Sequence, residues 1–188
     1  MAMVDLLDGD DVPPAVGELF ESVRREYGFV PNILRAMAHC PDLLAVFVPF
    51  WAQVYRSPTI GARLRALAAL GTAKAQDCTY CVAHMTASAR RAGVPEAQIS
   101  AVGDLASIRT AFDEREALIL RTADVLTRDP DGVTDELRAE LKAAFGDDEI
   151  VNIVLAIGVY NLTSRFLKAL SIDVESVFDA AAPQPTTT

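Results

Sequence analysis

Apolar residues in this chain return every three or four positions and almost nowhere every two, which commits the fold to helices. Ile60, Leu64, Leu67 and Leu70 keep helical spacing through an alanine-rich stretch. Such a stretch favours helix and lets a neighbouring helix approach closely. Leu19, Phe20, Val23 and Tyr27 form an earlier stripe, opened by Pro13-Pro14 and closed by Gly28, where a left-handed cap is usual. Pro31 starts a short helix with Ile33, Leu34 and Met37. Pro41 starts another through Leu44, Phe47, Val48, Trp51 and Val54, which Pro49 should kink.

Further helices are predicted from Cys78 to about Arg91, ended by Gly93, with a new start at Pro95. Others follow from Phe112 to about Thr127, after Thr134, and from Asp147 to about Leu170. Val30, Val133 and Ile172 are isolated apolar residues, so no strand competes, and the fold class is all-α. No composition shift marks a linker. One helical-bundle domain is expected over residues 10–175, with residues 176–188 (Ala, Pro and Thr at the end) a mobile tail.

Composition narrows the function classes. Half the residues are apolar (51%) in a chain of 188, enough for one core. The formal charge of -9 would repel a phosphate backbone, so nucleic acid is not an expected partner. Ile150 to Leu162 is the most apolar run, but it carries Asn152 and Asn161 and falls short of the roughly 20 residues a membrane span needs. A helix so apolar all round must be covered by the fold or by another subunit, which makes a homo-oligomer expected. The acidic N-terminus lacks the basic and apolar regions of an export signal, so a cytoplasmic location is expected.

Chemistry concentrates in Asp77-Cys78-Thr79-Tyr80-Cys81-Val82-Ala83-His84, which holds two of three cysteines and one of two histidines. Two cysteines three apart in the first turn of a helix share one side and are close enough for a reversible disulfide. Free amides and the helix dipole at that end favour a thiolate. His84 could lean back toward Cys81, directly or through water. The group offers a nucleophile, a resolving thiol and a base.

Two other readings of the same residues stay open. Cys78, Cys81 and His84 would make three zinc ligands, with a fourth needed from Cys40 or His39. Alternatively the cysteines pack a helix interface and His84 is a satisfied polar residue. The remaining chemistry-bearing residues suggest less. Met37 and Met85 suit core gap-filling, Trp51 suits an apolar face, and the dispersed glycines form no nucleotide loop, so no cofactor is expected.

With Gly28-Phe29-Val30-Pro31-Asn32, the C-x-x-C segment with His84, and Asp147-Asp148-Glu149-Ile150-Val151 through Tyr160-Asn161 and Arg165-Phe166, the chain resembles the carboxymuconolactone decarboxylase superfamily. It is most similar to the alkylhydroperoxidase D-like, peroxidase-related branch. The resemblance implies an all-helical trimer or hexamer whose dithiol reduces a small hydroperoxide and is restored by a dithiol reductant. It implies Cys81 as the peroxidatic cysteine and Cys78 as the resolving one, with neither metal nor cofactor. Active members of the branch carry a glutamate where this chain has Ala66 and a histidine where it has Met85. His84 is one residue away, about 100° around the helix. The expected function is therefore a hydroperoxidase with a weakened or rearranged proton relay. Alternatives are cofactor-free acid/base chemistry on a lactone or small carbonyl compound, and a non-catalytic oligomeric binding protein.

Overall fold

The structure is a computed structural model that describes residues 2–178, and those residues are helical with no strand among them. Ten α-helices follow in order: α1 Pro14–Tyr27, α2 Asn32–Met37, α3 Pro41–Arg56, α4 Gly61–Ala75, α5 Thr79–Arg91, α6 Glu96–Ala101, α7 Leu105–Ala111, α8 Glu114–Arg128, α9 Asp135–Ala144 and α10 Asp147–Ala169. The chain forms two compact units. One comprises residues up to Phe50 together with those from Phe166 on, and the other is Trp51–Arg165. Helices α3 and α10 contribute to both.

Helix ends follow their local chemistry. Gly28 takes φ +83° and donates its N–H to the Arg24 carbonyl, the left-handed cap expected where α1 stops. The Thr134 hydroxyl accepts the Leu137 N–H at 3.3 Å and opens α9. Asp113 and Glu116 cap α8 reciprocally. One helix lies outside the sequence-based expectations: α7, where Asp104 accepts the N–H groups of Ala106 and Ser107.

In the first unit, Arg35 donates to the carbonyls of Leu6 (3.0 Å) and Leu7 (3.3 Å) and so ties the N-terminal segment to α2. Asn32 receives the other end of the chain, donating through its side chain to the Asp173 carbonyl at 3.0 Å. Ser176–Phe178 forms a 3-10 turn, with the Phe178 ring edge-on to Phe29 at 6.0 Å. The rest of the segment expected to be a mobile tail lies outside the described residues.

The second unit is organised around α4, whose Leu67, Ala68, Leu70 and Ala73 are wholly buried. It packs against α8 and α5. A Cβ on Gly71 would come within 3.2 Å of Ala123 and Leu120, so glycine sets how closely α4 and α8 approach. Leu137, Leu141 and Phe145 of the α9 region and Ile153, Ile157 and Val159 of α10 complete one apolar cluster with Ile119 and Ala123.

Helix α10 has 23 residues and is long and apolar enough to cross a membrane by length and composition. The expectation that the run was too short considered only Ile150 to Leu162. Ile153 and Ile157 are fully buried, whereas Val151, Val154, Leu155 and Leu162 lie exposed at helical spacing on one face. That face is the surplus apolar surface the sequence predicted.

Candidate functional site

The dithiol is fixed by two helix ends at once. Helix α4 ends with Asp77 in the left-handed region (φ +49°), donating its N–H to the Lys74 carbonyl, while Cys78 donates to that of Ala73. This pair of bonds is the Schellman arrangement, and a short polar residue such as aspartate tolerates the strained φ best after glycine and asparagine. Cys78 then turns the chain as the N-cap of α5. Its Sγ accepts the Cys81 backbone N–H at 3.3 Å. Neither is in a disulfide, and both thiols are buried, with exposures of 2% and 3%.

Cys81 Sγ lies 3.1 Å from Ser164 Oγ, a wholly buried hydroxyl on α10. The hydrogen bond with the Cys78 thiol, and then burial, push the Cys81 thiol well above the ordinary cysteine range. The Ser164 hydroxyl pulls the other way, favouring the thiolate. The helix N-terminus led us to expect a thiolate. The bond with Cys78 and burial outweigh it and disfavour the thiolate of Cys81.

His84 sits on α5 with its ring stacked on Tyr80, centroids 4.5 Å apart and 11° from parallel. The side-chain bonds of Cys81 go to Cys78 and Ser164. Ala66 and Met85 are buried, with exposures of 4% and 7%, so the two positions implied for the proton relay carry no ionisable group. Cys40 is exposed, and the His39 Nε2 lies 3.0 Å from the Asp5 carbonyl oxygen. Among the described residues, no three His, Cys, Asp or Glu side chains cluster to hold a metal ion.

Ser164 is the residue at the candidate site that sequence reasoning missed. The signal available was a hydroxyl on the buried side of an apolar helix, one turn beyond Tyr160. Nothing in the sequence told which of the other helices it would meet.

Residues 41–123 match the carboxymuconolactone decarboxylase family. The chain is 30% identical over 158 residues to the uncharacterised protein YnjA of Escherichia coli strain K12, covering 82% of this chain and 85% of that protein. Its structure superposes with a TM-score of 0.82, at 19% identity and 94% of each chain, on the alkylhydroperoxidase AhpD core of an uncharacterised peroxidase-related protein from Ralstonia eutropha JMP134. The debrominase Bmp8, solved with 2,3,4-tribromopyrrole, has the same fold, with a TM-score of 0.77 at 20% identity over 93% of this chain and 96% of Bmp8.

Proposed function

The chain belongs to the carboxymuconolactone decarboxylase family, and from that premise we propose that it is an alkylhydroperoxidase D-like member that reduces hydroperoxides through Cys81 and Cys78. The observation that carries this reading is the Cys78–Cys81–Ser164 constellation, two buried reduced thiols in hydrogen-bond contact with a hydroxyl beside the second. The Cys81 sulfur attacks the peroxide, forming S–O as O–O breaks, and the alcohol leaves with the thiol proton. Cys78 then attacks the sulfenic sulfur and water leaves, which closes the disulfide. A dithiol reductant returns both thiols.

Geometry supports a slow version of this chemistry. Attack requires the thiolate, which the bond with Cys78 and burial disfavour at Cys81. Ser164 can donate to the developing anion, but with Ala66 and Met85 at the relay positions no ionisable group stands there to take the proton. Positioned acid/base groups commonly contribute about 10²–10⁴-fold, so their absence leaves measurable but poor turnover. His84, stacked on Tyr80 one turn along α5, tunes the site rather than serving as its primary base. Steady-state peroxide consumption tests the assignment: Cys81→Ser abolishes it, and turnover unchanged in that variant rules the mechanism out.

The same dithiol couple could instead reduce a halogenated aromatic, releasing halide as the disulfide forms, a reading favoured only by the fold shared with Bmp8. Thiol loss on adding 2,3,4-tribromopyrrole without peroxide would select it. The bare Val151, Val154, Leu155 and Leu162 face supports assembly into a homo-oligomer, with trimer or hexamer the proposed states.

A further inference from the structure

Helix α4 carries two half-buried arginines with different surroundings. Arg63 is paired with the buried carboxylate of Glu116 at 2.5 Å and also bonds the Gln98 side chain and the Gly93 carbonyl. Among the described residues Arg65 donates only to a neutral acceptor, the Ser57 carbonyl, and no carboxylate lies within 4.0 Å of it. In a chain with 26 acidic residues against 17 basic ones, carboxylates are not scarce. A guanidinium remains charged and offers five N–H donors, so removing it from water without an anion is unfavourable. Burial does act against its charged form, while the phenols of Tyr55 and Tyr160 act in its favour.

Both phenols lie on or bond to the helices that carry the thiol site. Tyr160 and Ser164 are one turn apart on the same side of α10, about 6 Å of helix rise, and Ser164 contacts Cys81. Tyr55 bonds the Ser88 hydroxyl at 2.9 Å, and Ser88 lies two turns beyond Cys81 on α5. Behind Tyr55, Trp51 stacks at 5.4 Å and 16°, giving a flat aromatic wall.

We propose that Arg65, held on the Ser57 carbonyl two residues beyond Tyr55 of the Trp51–Tyr55 stack, receives the carboxylate of a small aromatic organic acid whose reacting end lies at Cys81. This rests on the reading of Cys81 as the reacting thiol and makes hydroperoxides that carry an anionic group its preferred substrates, neutral ones reacting without the Arg65 contact. The charge is met by the fork of Arg65, and the flat body lies along the aromatic wall.

Benzoate is the probe, and Trp51, the one tryptophan in the chain, is the reporter. Benzoate should change the fluorescence of the full chain saturably, while neutral benzamide at equal concentration should not. Arg65→Gln should weaken benzoate binding at least tenfold and Arg65→Lys by less, with melting temperatures recorded for each. Equal affinity for benzoate and benzamide, or no binding of either, overturns the proposal on the unmodified protein, even if Arg65→Gln fails to fold. A folded Arg65→Gln that binds benzoate as well as the parent overturns it too and leaves Arg65 the merely structural role of holding the Ser57 turn. Arg65-dependent benzoate binding with no peroxide consumption would support this site while sinking the hydroperoxidase reading; peroxide consumption without that binding would sink this inference alone.

Discussion

Replacing Ser164 by alanine should slow the modification of Cys81, because the hydroxyl 3.1 Å away is the side-chain contact that favours its thiolate. Hydrogen bonds to charged groups contribute about 1.5–3 kcal/mol, which corresponds to a rise of roughly one to two units in the Cys81 pKa. At a fixed pH below that pKa the thiolate population falls about ten- to hundredfold. A more basic thiolate is also more nucleophilic, with a Brønsted slope of about 0.4–0.5, and recovers part of the loss. The net expectation is a reaction roughly three- to tenfold slower. The assay follows methyl methanethiosulfonate by peptide mass in a Cys40→Ser background, since Cys40 is exposed and would react first. Local opening to admit the reagent to a buried thiol is common to both proteins and cancels in the ratio. Ser164→Thr, which keeps a hydroxyl, should restore much of the rate. A folded Ser164→Ala that reacts as fast as the parent at pH 8 would refute the reasoning.

Rebuilding the relay is a second test: Ala66→Glu with Met85→His should raise peroxide turnover at least about tenfold, and a folded double variant with no gain would show that these helices no longer present the implied geometry. Because the folded pKa of Cys81 lies above the unfolded thiol value of about 8.5, its contribution to stability is fully present below that pH and is lost as pH rises through the folded value, at up to about 1.4 kcal/mol per pH unit. Denaturation under reducing conditions from pH 7.5 to 10 should show that decline in the parent and a shallower one in Cys81→Ala; parallel curves would contradict it. Placing aspartate at both Val154 and Leu155 should dissociate the oligomer in sedimentation, and a parent that is already a stable monomer at micromolar concentration would contradict the role of the α10 face.

Helix ends were legible because each is fixed by neighbours in sequence. Gly28, Pro31, Pro41, Thr134 and the cysteine turn sit where their local chemistry puts them. Helix α7 was not, since Asp104 after Gly103 is a weak signal beside the stronger cap at Asp113. The thiols and His84 could be found because they lie within one segment. Ser164 and Arg65 could not, because their meaning comes from tertiary packing: α10 brings Ser164 to a cysteine 83 residues earlier, and Arg63 meets the Glu116 carboxylate whereas Arg65 meets the Ser57 carbonyl. The direction of the Cys81 shift was likewise hidden, as the sequence shows a helix start but neither the burial nor the bond to Cys78 that outweighs it.

The central claim is that Cys78 and Cys81 form a two-electron couple driven by peroxide. Free thiols should be counted before and after one equivalent of cumene hydroperoxide under denaturing conditions, with intact mass and peptide mapping on the same sample. Loss of two thiols with a mass decrease of about two hydrogens, mapped to a Cys78–Cys81 disulfide while Cys40 stays free, is the predicted result. An unchanged thiol count, or a disulfide that includes Cys40, would contradict it.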